Sequence, residues 1–315
     1  MRVLGVDGGQ SGIRLRSSLA PTVVEVDGVS HLEGDTVSTV AAAVISAWRQ
    51  GSFGPVERIV LGLSTAPVDG AEAERLCATV GSAIGAADVW LADDAVTSHA
   101  GALSLGWGVS VIAGTGVACL VRPAQGAPRI LGGHGDLLGD EGGGFWIGRR
   151  ALADVLRADE GRAADGVDGA ALTAAAERRF GSLAGLGARL HATDRPVHAI
   201  AAFAQDVQAA ATSGDVLSLG ILADAVAELI ELVRAGVRWA DGNDVAVPLA
   251  LGGRLLAADA PLRHMLDEAL ARSGLSVAPR SADGTGLDGA IRLGLTGGDH
   301  PYGELIHRWR QEVPA

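Results

Sequence analysis

Residues 2–17 read RVLGVDGGQSGIRLRS: an apolar run closing on Asp7, a glycine-bearing turn, and a second run in which apolar and polar residues alternate. A short apolar run bounded by glycine is the pattern of a buried strand, and period-two alternation that of a strand with one buried face. The stretch therefore predicts strand, glycine turn, returning strand, with TVVEVDG (22–28) as a third strand. The same order recurs. GVSVIAGTG (108–116) runs into a glycine turn, VACLVRP (117–123) returns, and PRILGG (128–133) follows as the third strand. A unit that occurs twice predicts two related α/β domains, the second starting near Gly108.

The segments between support this reading. A helix is expected over Val37–Trp48, opening near Asp35, then a strand at RIVLGLS (58–64), a helix at AEAERLCATVGSAIG (71–85) and a strand at VWLAD (89–93). Strands alternating with helices read as a layered α/β domain. Residues 145–240 are mostly helical in pattern, PLALGG (248–253) is a late strand, and the run from Gly286 to Leu295 is a closing helix. The expected division is 1–107 and 108–285, with the helical stretch inserted in the second part and a C-terminal helix within 286–315 returning to the first. A chain of 315 residues is long enough for two such domains sharing a cleft.

Composition excludes several classes. The net charge of −12 opposes non-specific nucleic-acid binding, which needs a basic face. Apolar runs are short or interrupted by Asp, Glu and Arg, well below the ~20 residues of a membrane span. No signal-peptide core follows MRVLGVDGG, so a cytoplasmic location is expected. Cys77 and Cys119 stand alone, with no spacing for a disulfide framework, zinc or an iron–sulfur cluster. All 25 residues in the Lys+Arg count are Arg. The chain thus lacks the lysine that a Walker A loop, a protein kinase or a pyridoxal enzyme requires. The Ala, Gly and Arg bias is that of a GC-rich genome, and the exclusion holds either way.

Five short stretches carry candidate chemistry, each with a plain structural alternative. Asp7, Gly8, Gly9, Gln10, Ser11 and Gly12 form a turn whose amides can point at a phosphate, with Asp7 able to hold Mg²⁺; an ordinary hairpin reads the same way. Gly114, Thr115 and Gly116 repeat the device, weakly. Asp93 and Asp94 follow a strand, where a carboxylate faces the ligand crevice of an open α/β sheet and can accept a hydroxyl proton. Asp is equally a favoured helix cap, and two in a row allow one to cap and the other to act. In GGHGDLLGDEGGG (132–144) the acids Asp140 and Glu141 lie among seven glycines. Carboxylates there can grip vicinal sugar hydroxyls, whereas the helix dipole explains the acids but not the glycines. Gly252 and Gly253, the weakest of the five, can admit a nucleoside against bare backbone.

Together and in this order, GVDGGQSG, LADDA, IAGTG, GGHGDLLGDEGGGFWIG and LALGGRLL resemble the actin-like sugar kinases, nearest the N-acetylglucosamine kinase branch grouped with the BadF/BadG-type ATPases. The resemblance covers roughly residues 3 to 295, and its most specific motif is G-D-E-G-x-x-x-W-I-G at 139–148. It implies an α/β fold of two ribonuclease H-like domains with an interdomain cleft, and an ATP- and Mg²⁺-dependent kinase acting on the 6-hydroxyl of N-acetylglucosamine or glucosamine. Asp94 then matches the catalytic base and Asp140 the sugar-binding acid, with Asp93, Gly133, His134 and Gly135 beside the sugar. Asp7 matches the Mg²⁺ position; Gly8, Gly9, Gln10, Ser11, Gly114, Thr115 and Gly116 surround the phosphates, and Gly252 and Gly253 the nucleoside. The resemblance further implies a homodimer whose partners are ATP and a small amino sugar, with neither nucleic acid nor membrane. Three departures bear on the sugar: AGTGVA stands where relatives often show SGTGSN, His134 replaces a frequent Trp, and the loop after the third strand (28–35) is short. An iron–sulfur ATPase activator and a sugar sensor without turnover share the fold and stand as alternatives.

Overall fold

The computed structural model describes residues 1–29, 35–162, 169–240 and 245–311. Residues 30–34 of the short loop lie outside it, as does any part they play in a sugar site.

The first sheet is built from β1 (Val3–Gly8), β2 (Gly12–Ser17) and β3 (Val23–Asp27), then α1 (Thr36–Gln50), β4 (Arg58–Leu63), α2 (Gly70–Ile84) and β5 (Asp88–Ala92), after which α3 (Asp94–Ala102) leads out. The second starts with β6 (Gly108–Ala113), β7 (Val117–Arg122) and β8 (Arg129–Gly132). Helices α4 (Gly144–Asp159), α5 (Ala170–Phe180), α6 (Leu186–His191), α7 (Pro196–Ala202), α8 (Ala204–Thr212) and α9 (Val216–Ala240) follow. The chain closes with β9 (Val247–Gly252), α10 (Pro261–Arg272), β10 (Val277–Arg280), α11 (Gly286–Leu295) and β11 (Ile306–Arg310).

The strand orders are β11-β5-β4-β1-β2-β3 and β10-β9-β6-β7-β8. Leaving β11 aside, the second order repeats the first. Each sheet has an antiparallel three-strand meander followed by two parallel strands. Short glycine turns suffice for the antiparallel pairs, whereas each parallel pair needs a helical crossover, and this is why helices appear where the sequence alternates. Asp35 caps α1 by accepting from the Ser38 amide at 3.1 Å, at the place expected for the helix start.

The closing helix spans Gly286–Leu295, as its pattern predicts. The chain beyond it does not continue the C-terminal helix towards 315, because Gly297 (φ +69°) and Gly298 (φ +115°) turn it out of helical geometry. The chain then returns as β11, antiparallel to β5 at the edge of the first sheet. Its anchor is Trp90 on β5, fully buried, with the Arg58 and Arg308 guanidiniums stacked at 4.2 and 4.4 Å from its ring. Asp88 accepts from the Trp90 indole at 2.9 Å and pairs with the buried Arg58 at 2.7 Å.

Each sheet packs its own apolar core, and a third core joins them. It gathers Val3, Val60 and Trp90 from the first sheet, Ala95, Val96 and Ala100 from α3, Ala290 and Leu293 from α11, and Leu120 from the second sheet. At its edge the buried His99 imidazole shares a hydrogen bond of 2.8 Å with the Tyr302 hydroxyl and faces the Gly108 carbonyl at 3.3 Å, where the second sheet begins. Burial pushes this imidazole down to about 4, so it stays neutral in the folded chain under conditions where the unfolded chain takes up a proton. Stability is therefore lost on acidification between about pH 6.5 and 4, by about 1.4 kcal/mol per pH unit from this group alone. Denaturant unfolding across pH 7.5 to 4.5 should show the advantage of the native chain over His99→Gln shrinking steadily; parallel curves would remove His99 from the account.

Candidate active site

β1, β4 and β5 run parallel with Asp7 level with Gly62 and Gly62 level with Ala92, so the residues at their carboxyl ends lie side by side. This edge places Asp7 near Asp93 and Asp94. Asp93 is the N-cap of α3, its carboxylate accepting from the Ala95 amide at 2.8 Å. The cap uses one acid and leaves the next. Asp94 opens the helix, and burial, then the charges of Asp93 and Asp7, push its carboxyl well above the usual carboxylate range. Burial also raises Asp7, against the pull of the Arg14 guanidinium 3.9 Å away. Crowded carboxylates of raised proton affinity at the open end of parallel strands are stronger proton acceptors than free ones.

The two glycine turns face one another. Gly9 N–H donates to Gly12 O and Gly114 N–H to Gly116 O, each at 2.9 Å, and across the gap Ser11 Oγ lies 3.5 Å from Thr115 Oγ1. Next to them is a cavity of about 390 Å³ lined by Ser11, Arg14, Gly114, Thr115, His198 and Arg254 among others. A Cβ added at Gly114 would meet nothing within 4 Å, so this backbone is bare towards open space. Such a cavity is of the size of small-molecule sites.

The GDEGGG stretch folds onto the second turn. Asp140 takes φ +61°, a left-handed conformation that Asp tolerates better than most residues. Its carboxylate accepts from the Val117 amide at 3.3 Å and lies against Gly116, where a Cβ would come within 2.2 Å of Oδ2. Burial raises its proton affinity, the Val117 hydrogen bond opposes this, and Asp136 and Glu141 add repulsion. Glu141 itself is exposed. Gly144 and Phe145 N–H donate to the Gly114 and Thr115 carbonyls at 2.9 Å, so the start of α4 is stitched to the turn.

The glycines therefore do something other than what their pattern suggests. A Cβ at Gly144 would meet Gly114 O at 2.9 Å, and one at Gly148 would meet Ile200 O at 2.0 Å. Gly144 and Gly148 lie one turn apart on α4, and that glycine face lets the α7 backbone approach and brings His198 to the cavity. Gly133 and Gly135 adopt φ +70° and +80°, with His134 exposed between them. Gly252 and Gly253 have an internal reason too: Gly253 (φ +90°) passes 2.2 Å from Ala113 O by the same measure, which is β9 turning over β6. It is their neighbour Arg254 that lines the cavity.

The sequence pattern missed Arg14, Arg195, His198 and Arg254. Arg254 stands in the LALGGRLL stretch, where only its glycines drew notice; Arg14, Arg195 and His198 stand in no motif, and the α4–α7 packing brings the last two here. Among the described residues no group of three or more His, Cys, Asp or Glu converges to hold a metal ion. Mg²⁺ is commonly held by one or two carboxylates, with water and phosphate oxygens completing its shell. Asp7 beside a phosphate-sized cavity fits that chemistry, and a metal cage made of protein alone does not.

Comparison with known proteins agrees with this fold. Residues 23–291 match the model of the BadF/BadG/BcrA/BcrD ATPase family. A Clostridium acetobutylicum N-acetylmuramic acid/N-acetylglucosamine kinase is 26% identical over 265 residues, 81% of this chain and 85% of that protein. A Chromobacterium violaceum structure solved as a candidate N-acetylglucosamine kinase superposes with TM-score 0.70 at 26% identity, covering 93% of this chain and 98% of that one. A ROK hexokinase from Thermus thermophilus shares the fold at TM-score 0.52 and 20% identity, over 92% of this chain and 97% of that one.

The α4–α7 contact is testable. Gly148→Ala places a methyl group on the Ile200 carbonyl and is expected to cost about 1–3 kcal/mol of unfolding free energy in urea. Gly220→Ala, on the exposed face of α9 with nothing within 4 Å of its Cβ position, should instead stabilise by about 0.5–1 kcal/mol. Equal effects of the two would mean that α7 is not held through Gly148.

Proposed function

The chain belongs to the BadF/BadG/BcrA/BcrD ATPase family, and we propose that it is an amino-sugar kinase that moves the γ-phosphate of ATP to the 6-hydroxyl of N-acetylglucosamine or glucosamine. The observation that carries this is the pair Asp93–Asp94 at the carboxyl edge of the first sheet. One carboxylate is committed to the helix cap and the other is left with raised proton affinity beside Asp7. The kinase name of the Clostridium relative supports the reaction class.

In this reading Asp94 accepts the proton of the sugar hydroxyl as that oxygen bonds to phosphorus and ADP leaves. A base with a raised pKa is matched to work near neutrality. Asp140, held in place by the Val117 amide, accepts hydrogen bonds from other sugar hydroxyls, with Gly133, His134 and Gly135 beside it. Ser11, Gly114 and Thr115 line the cavity read as the phosphate site, and Asp7, 3.9 Å from the lining Arg14, would hold Mg²⁺. Bound MgATP supplies the phosphoryl group and neutralises its charge. Catalysis of this kind rests on positioning and fixed charge, and needs no lysine.

The two alternatives fare less well. An iron–sulfur activator needs accessible cysteines, whereas Cys77 and Cys119 are buried in different cores and their thiols are pushed up to about 12. A sensor without turnover has no use for Asp94. The deciding assay is ADP release with Mg²⁺ across N-acetylglucosamine, glucosamine, N-acetylmannosamine, N-acetylmuramic acid and glucose, with turnover expected for one or two amino sugars. ATP hydrolysis indifferent to every sugar would overturn the proposal.

Asp94→Asn, isosteric and uncharged, is expected to lower kcat about 10²- to 10⁴-fold with sugar affinity within a few-fold of the native chain. Unchanged turnover would remove Asp94 as the base. Asp140→Asn keeps the left-handed backbone accessible but loses the charge, and should raise the sugar KM about ten-fold or more with a smaller effect on kcat. A normal KM would place the sugar elsewhere.

A further inference from the structure

We infer that Arg195 and Arg254, with His198 beside them, form a cationic wall that binds the polyphosphate chain of the nucleotide, the positive charge coming from the helical insertion and the β9 turn. The inference rests on the kinase reading for the identity of the ligand and on the geometry below for the wall itself.

Positive charge is scarce in a protein with 37 acidic and 25 basic residues, yet the residues lining the cavity include Arg14, His198 and Arg254 and no acid. The acids lie to its sides, at Asp7, Asp94 and Asp140. Arg14 is matched already, 3.9 Å from Asp7 and 3.2 Å from Glu25. Arg195 and Arg254 are not: among the described residues neither has a carboxylate within 4 Å. The guanidinium of Arg195 donates to the Gln10 carbonyl in the first glycine turn, which anchors the side chain at the phosphate turn while its charge stays unneutralised.

His198 senses both neighbours. After burial, the charges of Arg195 and Arg254 push its imidazole down, so the two guanidiniums act on one small region in which the ring itself is favoured neutral. A cluster of this kind is unfavourable alone and is relieved by an anion. A guanidinium offers a planar fork that matches phosphate oxygens in pairs, which a lysine does not, and several such groups suit a chain of linked phosphates. The wall is delivered by packing: α7 carries His198 and follows directly on Arg195, and it reaches the turns because Gly144 and Gly148 of α4 let its backbone in.

The test is calorimetric titration of the full-length chain with inorganic tripolyphosphate, ADP and adenosine. Arg254→Gln, at an exposed position, and Arg195→Gln are each expected to weaken tripolyphosphate and ADP binding about ten-fold or more, with adenosine unchanged within two-fold. Arg254→Lys should recover only part of the loss. Tripolyphosphate and ADP affinities within two-fold of the native chain in both variants would overturn the wall, even if the protein phosphorylates an amino sugar. Failure of the native chain to bind tripolyphosphate overturns it as well. Arginine-dependent tripolyphosphate binding without phosphorylation of any sugar would uphold the wall and overturn the kinase reading.

Discussion

The structure depends on how closely α3 and α11 cross. A Cβ at Gly101 of α3 would come within 1.9 Å of Thr285 O, just ahead of α11, and one at Gly289 of α11 within 1.8 Å of Thr97 O. Each helix thus lies against backbone of the other segment, and no larger residue fits either place without displacing main chain. The crossing is further pinned at Gly62 on β4, where a Cβ would be 2.1 Å from Thr97 Oγ1. From it follow the placement of Asp94 at the start of α3 and that of Gly286, at the start of α11, against Asp7. The two acids are brought together by main-chain contact and not by any attraction of their own, since like charges repel.

A second close contact organises the other side of the cleft. The GTG turn, the strained Asp140 and the glycine face of α4 form one unit, in which Gly116, Gly143 and Gly144 permit approach of backbone to backbone and of carboxylate to backbone. Asp140 holds a conformation that costs energy elsewhere and is retained here by the Val117 amide and the tight turn around it. The seven glycines of residues 132–144 are thus mostly internal spacers and turn formers. The bare surface offered to a ligand is small, and Gly114 is its clearest part.

Charge is partitioned between these two units. The carboxylates gather at the strand ends of the first sheet and around Asp140, where burial and mutual repulsion raise their proton affinity. Arg14, Arg254 and His198 line the cavity, which no acid lines. Carboxylates at the strand ends and cationic groups at the cavity are the separation that the proposed phosphoryl transfer calls for, because the same groups could not serve both ends of the reaction without neutralising one another.

Local sequence determined the repeated strand, glycine turn and strand units, the alternation of helices and strands, and the cap at Asp35, because strand periodicity and cap chemistry act over a few residues. It also singled out Asp7, Asp94, Thr115 and Asp140 as candidates, beside the turn and cap roles that the same residue types fill. Tertiary structure alone decided that Asp93 caps and Asp94 is left, and that the chain end becomes β11, held by Trp90 between two arginines, and does not extend a helix. It also decided that Gly148 and Gly253 serve packing, that Arg195 reaches the first glycine turn and that Arg254 lines the cavity beside it. These outcomes depend on contacts between segments far apart in the chain, and no window of neighbouring residues contains the backbone atom that a missing Cβ makes room for.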